Sequence, residues 1–204
     1  FLRFEGASIT YREANARANR LADFLTREGV GRGDVVAVLS RNHPDVVIAM
    51  FAIVKIGAIC GMLNFNQRGA VLEHSLGLIE PKVVLYQHDL LEALESVPAG
   101  CRPEKEFTFA ELATLTARCS PLDRPVTDSI EVGSTAIYIF TSGTTGMPKV
   151  AQHKYSGMIY NGFLGGTLLF DETDVLMCPL PLFHVFAAYP ILMSCIQSGA
   201  MMVM

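Results

Sequence analysis

The chain has 204 residues, half of them apolar and 18% charged, a globular composition with enough apolar material for a core in one large domain or two small ones. Its formal net charge is −4, and the lysines and arginines are scattered without a basic run, which argues against a nucleic-acid partner. An anionic small molecule would have to be held by local loops and helix ends, not by a general positive field.

Thr10-Tyr-Arg-Glu13 has the spacing of a capping box, so a helix is expected to start there. Ala14, Ala18, Leu21, Phe24 and Leu25 then share one helical face, and Gly29 ends it. Val35–Leu39, after the Gly33-Asp34 turn, reads as a short buried strand. Pro44 opens a second helix through about Ile56, Ala58–Leu63 is a strand, Ala70–Ile79 a third helix, and Lys82–Tyr86 a third strand. Short apolar strands alternating with helices predict an α/β fold of βαβ units with a parallel sheet. Gly100–Thr135 is rich in Pro, Thr, Asp and Arg and reads as a connector with one helix near Phe109–Arg118.

A second alternation starts at the apolar strand Thr135–Phe140. The loop Thr141–Lys149 follows, then a helix from about Lys154 to Thr167, a strand at Asp174–Cys178, a helix over Phe183–Gln197 and a strand at Ala200–Met204. The expected organisation is a first α/β lobe with its connector at 1–130 and the start of a second lobe at 131–204. The chain opens without Met and closes on a strand, so a piece of a longer protein is expected.

The cysteines, Cys60, Cys101, Cys119, Cys178 and Cys195, are odd in number, far apart and free of CxxC spacing. Buried free thiols and a cytoplasmic, reducing location are expected. Phe1–Gly6 has no secretory signal character. Val175–Met204 contains no Asp, Glu, Lys or Arg, but Pro179, Pro181 and Pro190 interrupt it, so strand–loop–helix–strand is favoured over a spanning helix. Peripheral membrane contact is left open.

The chemistry is concentrated in Thr141-Ser142-Gly143-Thr144-Thr145-Gly146-Met147-Pro148-Lys149. Glycines let backbone N–H groups turn towards an anion, hydroxyls add donors and Lys149 adds a full charge. A helix N-terminus just beyond would favour the same anion. The alternative is a flexible polar turn. The common NTPase loop does not fit: aligned on Gly143, it would put Pro148 at its second Gly and Val150 at its Ser/Thr.

Tyr138–Lys149 resembles the signature loop of the superfamily of acyl-CoA synthetases, peptide-synthetase adenylation domains and beetle luciferases. Other segments resemble the family as well: Phe4–Gly6 with Thr10-Tyr11, Gly31–Ala37, Lys55–Ala58, and Pro179-Leu180-Pro181-Leu182-Phe183-His184. The resemblance implies the first part of the large N-terminal domain of an adenylate-forming enzyme. It implies a two-step ligation, in which a carboxylic acid attacks Mg-ATP to give acyl-AMP and pyrophosphate, and coenzyme A then displaces AMP. Thr141, Ser142, Gly143, Thr144, Thr145, Gly146 and Lys149 would hold the β- and γ-phosphates, and His184 would line the acyl pocket beside the reacting carboxylate. Without the resemblance, His184 reads first as a satisfied core histidine, whereas His43, His74, His88 and His153 are expected at the surface or in caps.

The family frequently has Gly after the loop Lys, where this chain has Val150. Asn64–Gly69 with Leu72 and His74–Leu76 resembles the fatty-acid-transport-protein branch, which leans the expected acid towards fatty acyl; an ordinary polar turn is the alternative. The groups that grip ribose and finish catalysis would lie in the rest of the ligase chain, beyond Met204, and would be this piece's partner. A peptide-synthetase adenylation domain and a non-catalytic phosphate-binding remnant remain as alternatives.

Overall fold

The computed structural model describes residues 1–123, 130–141 and 146–204. Helix α1 (Tyr11–Arg27) starts at the expected capping box. The Glu13 N–H donates to Thr10 Oγ1 at 3.1 Å and the Thr10 N–H donates to Glu13 Oε2 at 2.8 Å, which satisfies two donors the helix cannot satisfy itself. Ala14, Ala18, Leu21, Ala22 and Leu25 are buried.

Strand β1 (Leu2–Phe4) and strand β2 (Ala7–Ile9) precede α1 as a hairpin, each too short to show a period in sequence. After α1 come β3 (Val35–Leu39), α2 (Pro44–Lys55), β4 (Ile59–Leu63), α3 (Gly69–Ile79) and β5 (Val83–Tyr86), in the expected order. Every residue of β3, β4 and β5 is buried, as strands covered on both faces require. Along β3, Val36 and Val38 enter one core with α1 and α2, whereas Val35, Ala37 and Leu39 enter a second core with α3. The two-residue period of the strand thus serves two helical layers. Helix α2 is apolar on most sides because it packs on α1, β1, β3 and β4.

The chain continues through α4 (Leu91–Glu95), β6 (Lys105–Thr108), α5 (Phe109–Leu115), β7 (Thr135–Thr141), β8 (Lys149–Lys154), α6 (Tyr155–Leu168), β9 (Val175–Met177), α7 (Leu192–Ser198) and β10 (Met201–Val203). Among the described residues, one sheet has six strands in the order β6-β5-β3-β4-β7-β8 and the other has four in the order β2-β1-β10-β9. The larger sheet is parallel except for the β7–β8 hairpin, in keeping with the expected fold class.

Three expectations change. Strand β6 lies inside the expected connector; Lys105-Glu-Phe-Thr108 lacks an apolar run because it is an edge strand, where charge is tolerated. Both sheets cross the expected 130/131 division: β7 and β8 extend the sheet of β3–β5, and β1 pairs with β10. The helix expected from about Lys154 is α6, but an unexpected strand separates it from the loop, because Lys149–Lys154 pairs antiparallel with β7 from Thr141↔Lys149 to Thr135↔Lys154.

The Val175–Met204 run forms β9, a loop, a helical stretch and β10. The helical stretch contains a π turn, Ala187–Ile191, where Pro190 lacks an N–H and crowds the preceding turn. No helix among the described residues is long and apolar enough to cross a membrane. All five cysteines are free; Cys60, Cys119, Cys178 and Cys195 are buried as expected, but Cys101 is exposed.

Candidate functional site

Parallel strands β3, β4 and β7 all point their carboxyl ends towards one edge of the larger sheet, the edge at which open α/β sheets bind ligands. β4 ends at Leu63 and delivers Asn64 and Gln67; β7 ends at Thr141 and delivers the hairpin loop. Asn64, Gln67, Thr141, Gly146, Pro148 and His184 line one cleft of ≈ 440 Å³. Thr141, Gly146 and His184, picked out in sequence for different reasons, therefore come together.

Thr141 and Lys149 face each other as the last pair of the hairpin, and Thr141 Oγ1 donates to the Lys149 carbonyl at 3.4 Å. Lys149 is exposed. Gly146 has a left-handed backbone (φ +83°), the conformation glycine permits, and Pro148 then leads into β8. Ser142, Gly143, Thr144 and Thr145 lie outside the described residues. The helix end expected beside this loop is not there: α6 begins at Tyr155, with β8 in between. An anion held at this loop would therefore have the loop and Lys149 to bind it, without the dipole of α6.

His184 is exposed and reaches the cleft from the other side. Its loop is held by a residue that the sequence did not single out. Asn42, just past β3, donates from Nδ2 to the Leu180 carbonyl at 2.9 Å and accepts from the Leu182 N–H at 2.8 Å. A side chain satisfying both backbone groups acts as a clamp on Pro179–Leu182. Phe183 packs edge-on against Phe65 (centroids 5.5 Å apart), and the Arg41 guanidinium lies 4.9 Å over the Phe65 ring. Asn64–Gly69, for which an ordinary polar turn is the alternative reading, thus supports through Phe65 the loop that carries His184. Gln67 is buried, and its Oε1 has no partner among the described residues.

The other histidines divide. His43 caps α2, its Nδ1 accepting from the Asp45 N–H at 3.2 Å. His153 is half-buried against the Tyr189 ring at 5.1 Å, and burial lowers its pKa. His74 contacts the Pro148 carbonyl at 3.0 Å, so it belongs to the site rather than to a cap. On α3, His74 follows Val71, which lines the cleft, by one helical turn. No group of three His, Cys, Asp or Glu among the described residues could hold a metal ion.

The family model described as AMP-binding enzyme matches residues 1–204. The chain belongs to this family. Similar AMP-binding relatives include the medium/long-chain-fatty-acid–CoA ligase FadD6 of Mycobacterium tuberculosis, 42% identical over 98% of this chain and 34% of the relative. Mouse long-chain fatty acid transport protein 6 is 34% identical over 98% of the chain and 34% of its own length. The chain thus spans about a third of the curated AMP-binding relatives it matches, 34% in both cases. The N-terminal domain of FACL13 from Mycobacterium tuberculosis superposes with a TM-score of 0.89 at 24% identity, over 100% of this chain and 52% of that one, which establishes a shared fold.

Proposed function

We propose that this chain is part of an ATP-dependent acyl-CoA ligase that activates a carboxylic acid as acyl-AMP and transfers the acyl group to coenzyme A. The observation that carries the reading is the shared cleft, where Thr141, Gly146 and His184 meet at the carboxyl edge of the sheet in an AMP-binding chain. Thr141–Lys149, with Ser142, Gly143, Thr144 and Thr145, is assigned to the β- and γ-phosphates of ATP. Mg²⁺ enters with the nucleotide as Mg-ATP.

The chemistry asks for positioning and charge stabilisation, not for a protein nucleophile. A carboxylate oxygen of the acid bonds to the α-phosphorus, and the bond to the pyrophosphate oxygen breaks. Negative charge grows on the departing pyrophosphate, where loop donors and Lys149 are suited to stabilise it. His184, across the cleft, is assigned to the acyl carboxylate side. In the second step the coenzyme A sulfur attacks the acyl carbon and AMP leaves.

A fatty acid is the favoured substrate. Its support is the resemblance of Asn64–Leu76 to the fatty-acid-transport-protein branch, together with the printed names of the two relatives. The free cysteines support a reducing, cytoplasmic location. The exposed apolar side chains of α6 and β9 are given to the remainder of the ligase chain in preference to a membrane.

The test is carboxylate-dependent exchange of labelled pyrophosphate into ATP by the full-length protein, over a panel of fatty, aryl and amino acids. Exchange with medium- or long-chain fatty acids is expected. Exchange with amino acids alone would move the protein to the peptide-synthetase type, and none with any acid would sink the reading.

A further inference from the structure

We propose that His74 is a positioning residue for the lysine end of the phosphate loop, acting through the carbonyl of Pro148. This inference rests on the ligase reading above and adds a residue to it. His74 Nε2 lies 3.0 Å from the Pro148 oxygen. A carbonyl only accepts, so Nε2 carries the proton and donates, in the neutral Nε2–H tautomer and in the imidazolium alike. Pro148 has no N–H, and its carbonyl directly precedes the hairpin pair next to the loop, Thr141↔Lys149. The His74 bond therefore ties down the one residue between the Gly146 turn and Lys149 that most constrains the direction of the chain.

The platform behind His74 is rigid. Leu72, Leu76 and Ile79 bury the opposite side of α3. The Gly69 N–H donates to Ser96 Oγ at 2.7 Å, which anchors the start of the helix. At its other end α3 sits so close to β4 that a Cβ added to Gly61 would come within 2.6 Å of Ile79 Cδ1. α3 also packs on β8. A firmly seated helix thus holds Pro148, and Lys149, the only full positive charge of the loop, follows directly. Losing the bond should misplace that charge while leaving the fold intact, since His74 is only half-buried.

The experiment compares His74→Leu, which keeps bulk, does not weaken the helix and removes the donor, with His74→Gln, whose amide N–H reaches a similar distance. In the full-length protein, pyrophosphate exchange by His74→Leu should show a KM for ATP raised about three- to ten-fold, the scale of one net hydrogen bond. The KM for the acid should change by less than about two-fold, and His74→Gln should recover most of the loss. In the same full-length protein, amide exchange at Val150 and Ala151 should quicken in His74→Leu and not in His74→Gln. Unchanged ATP kinetics in His74→Leu, equal damage from both substitutions, or equal rises in both KM values would overturn the proposal. If the wild-type protein exchanges no pyrophosphate, the ligase reading fails, and unaltered amide exchange in His74→Leu would then overturn the His74 contact on its own.

Discussion

The larger sheet and the stretch from α6 to β9 are both strongly apolar in sequence, yet the chain covers one and leaves the other bare. Every residue of β3, β4 and β5 is buried between helical layers. On α6 and β9, Ile159 is 63% exposed, Phe163 53%, Leu168 64%, Val175 62% and Met177 70%. β9 is also an edge strand of its sheet. The first region completes its own core. The second presents the kind of contiguous apolar surface that marks a contact with something further, and under the ligase reading that is the remainder of the enzyme. The cleft lies at the carboxyl edge of the larger sheet, with Thr141 supplied by β7 and His184 by the loop after β9.

Stability measurements can break this comparison most directly. Leu85→Ala, at a fully buried position, should lower the unfolding free energy by about 2–5 kcal/mol. Phe163→Ser should stay within about 0.5 kcal/mol of wild type. Comparable losses in denaturant titrations would show that the α6 face is already covered within this chain.

A smaller effect sharpens the picture of α6. Its bare side is opposite a tight one: a Cβ on Gly165 would lie 2.6 Å from Ser194 Cβ on α7. Gly165→Ala should therefore cost about 1–3 kcal/mol through overpacking. Gly77 on α3 has nothing within 4 Å of an added Cβ, so Gly77→Ala should gain about 0.5–1 kcal/mol from helix propensity. Thermal melts of the two variants should shift in opposite directions.

Smaller still is the acid limb of the stability curve. Hydrogen bonds from Asn19 and Asn15, then the Lys55 ammonium, hold the Asp123 carboxyl down at about 2. A depressed pKa means that Asp123 supports the folded state above the unfolded value of about 3.9, and that this support fades as pH falls through the folded value. Asp123→Asn should flatten the stability loss in that window; an unchanged acid limb would show the contact to be idle. The least perturbing probe is thiol labelling. Cys101 is exposed and should react first, whereas burial pushes the Cys195 thiol up to about 12 and keeps it protonated. Fast labelling of Cys195 would show that the α7 core opens readily.

Much of the fold was legible because its strongest local signals agreed with packing. The Thr10–Glu13 box, the Val35–Leu39 run and the Pro44 helix start all fall where expected. What was illegible is set by long-range pairing. Nothing local in Lys149-Val-Ala-Gln-His-Lys154 announces a strand; β7 makes it one, and this removes the helix end expected beside the loop. Likewise β6 is a strand only because β5 offers it an edge. At the site, the loop and the His184 motif could be read from residue types. Asn42 and His74 could not, because their roles are contacts with Leu180, Leu182 and Pro148, far away in sequence.

The central claim is that the Thr141–Lys149 loop serves adenylate formation, and a single turnover of the full-length protein tests it most directly. Acyl-AMP formed from ATP and a fatty acid would be quantified in wild type and in Lys149→Met, with melting temperatures measured in parallel. The account predicts a fall of about 100-fold or more in the rate of adenylate formation, the scale for losing one stabiliser of transition-state charge, with an unchanged melt because Lys149 is exposed. Adenylate formation at near the wild-type rate in the folded Lys149→Met protein would contradict it.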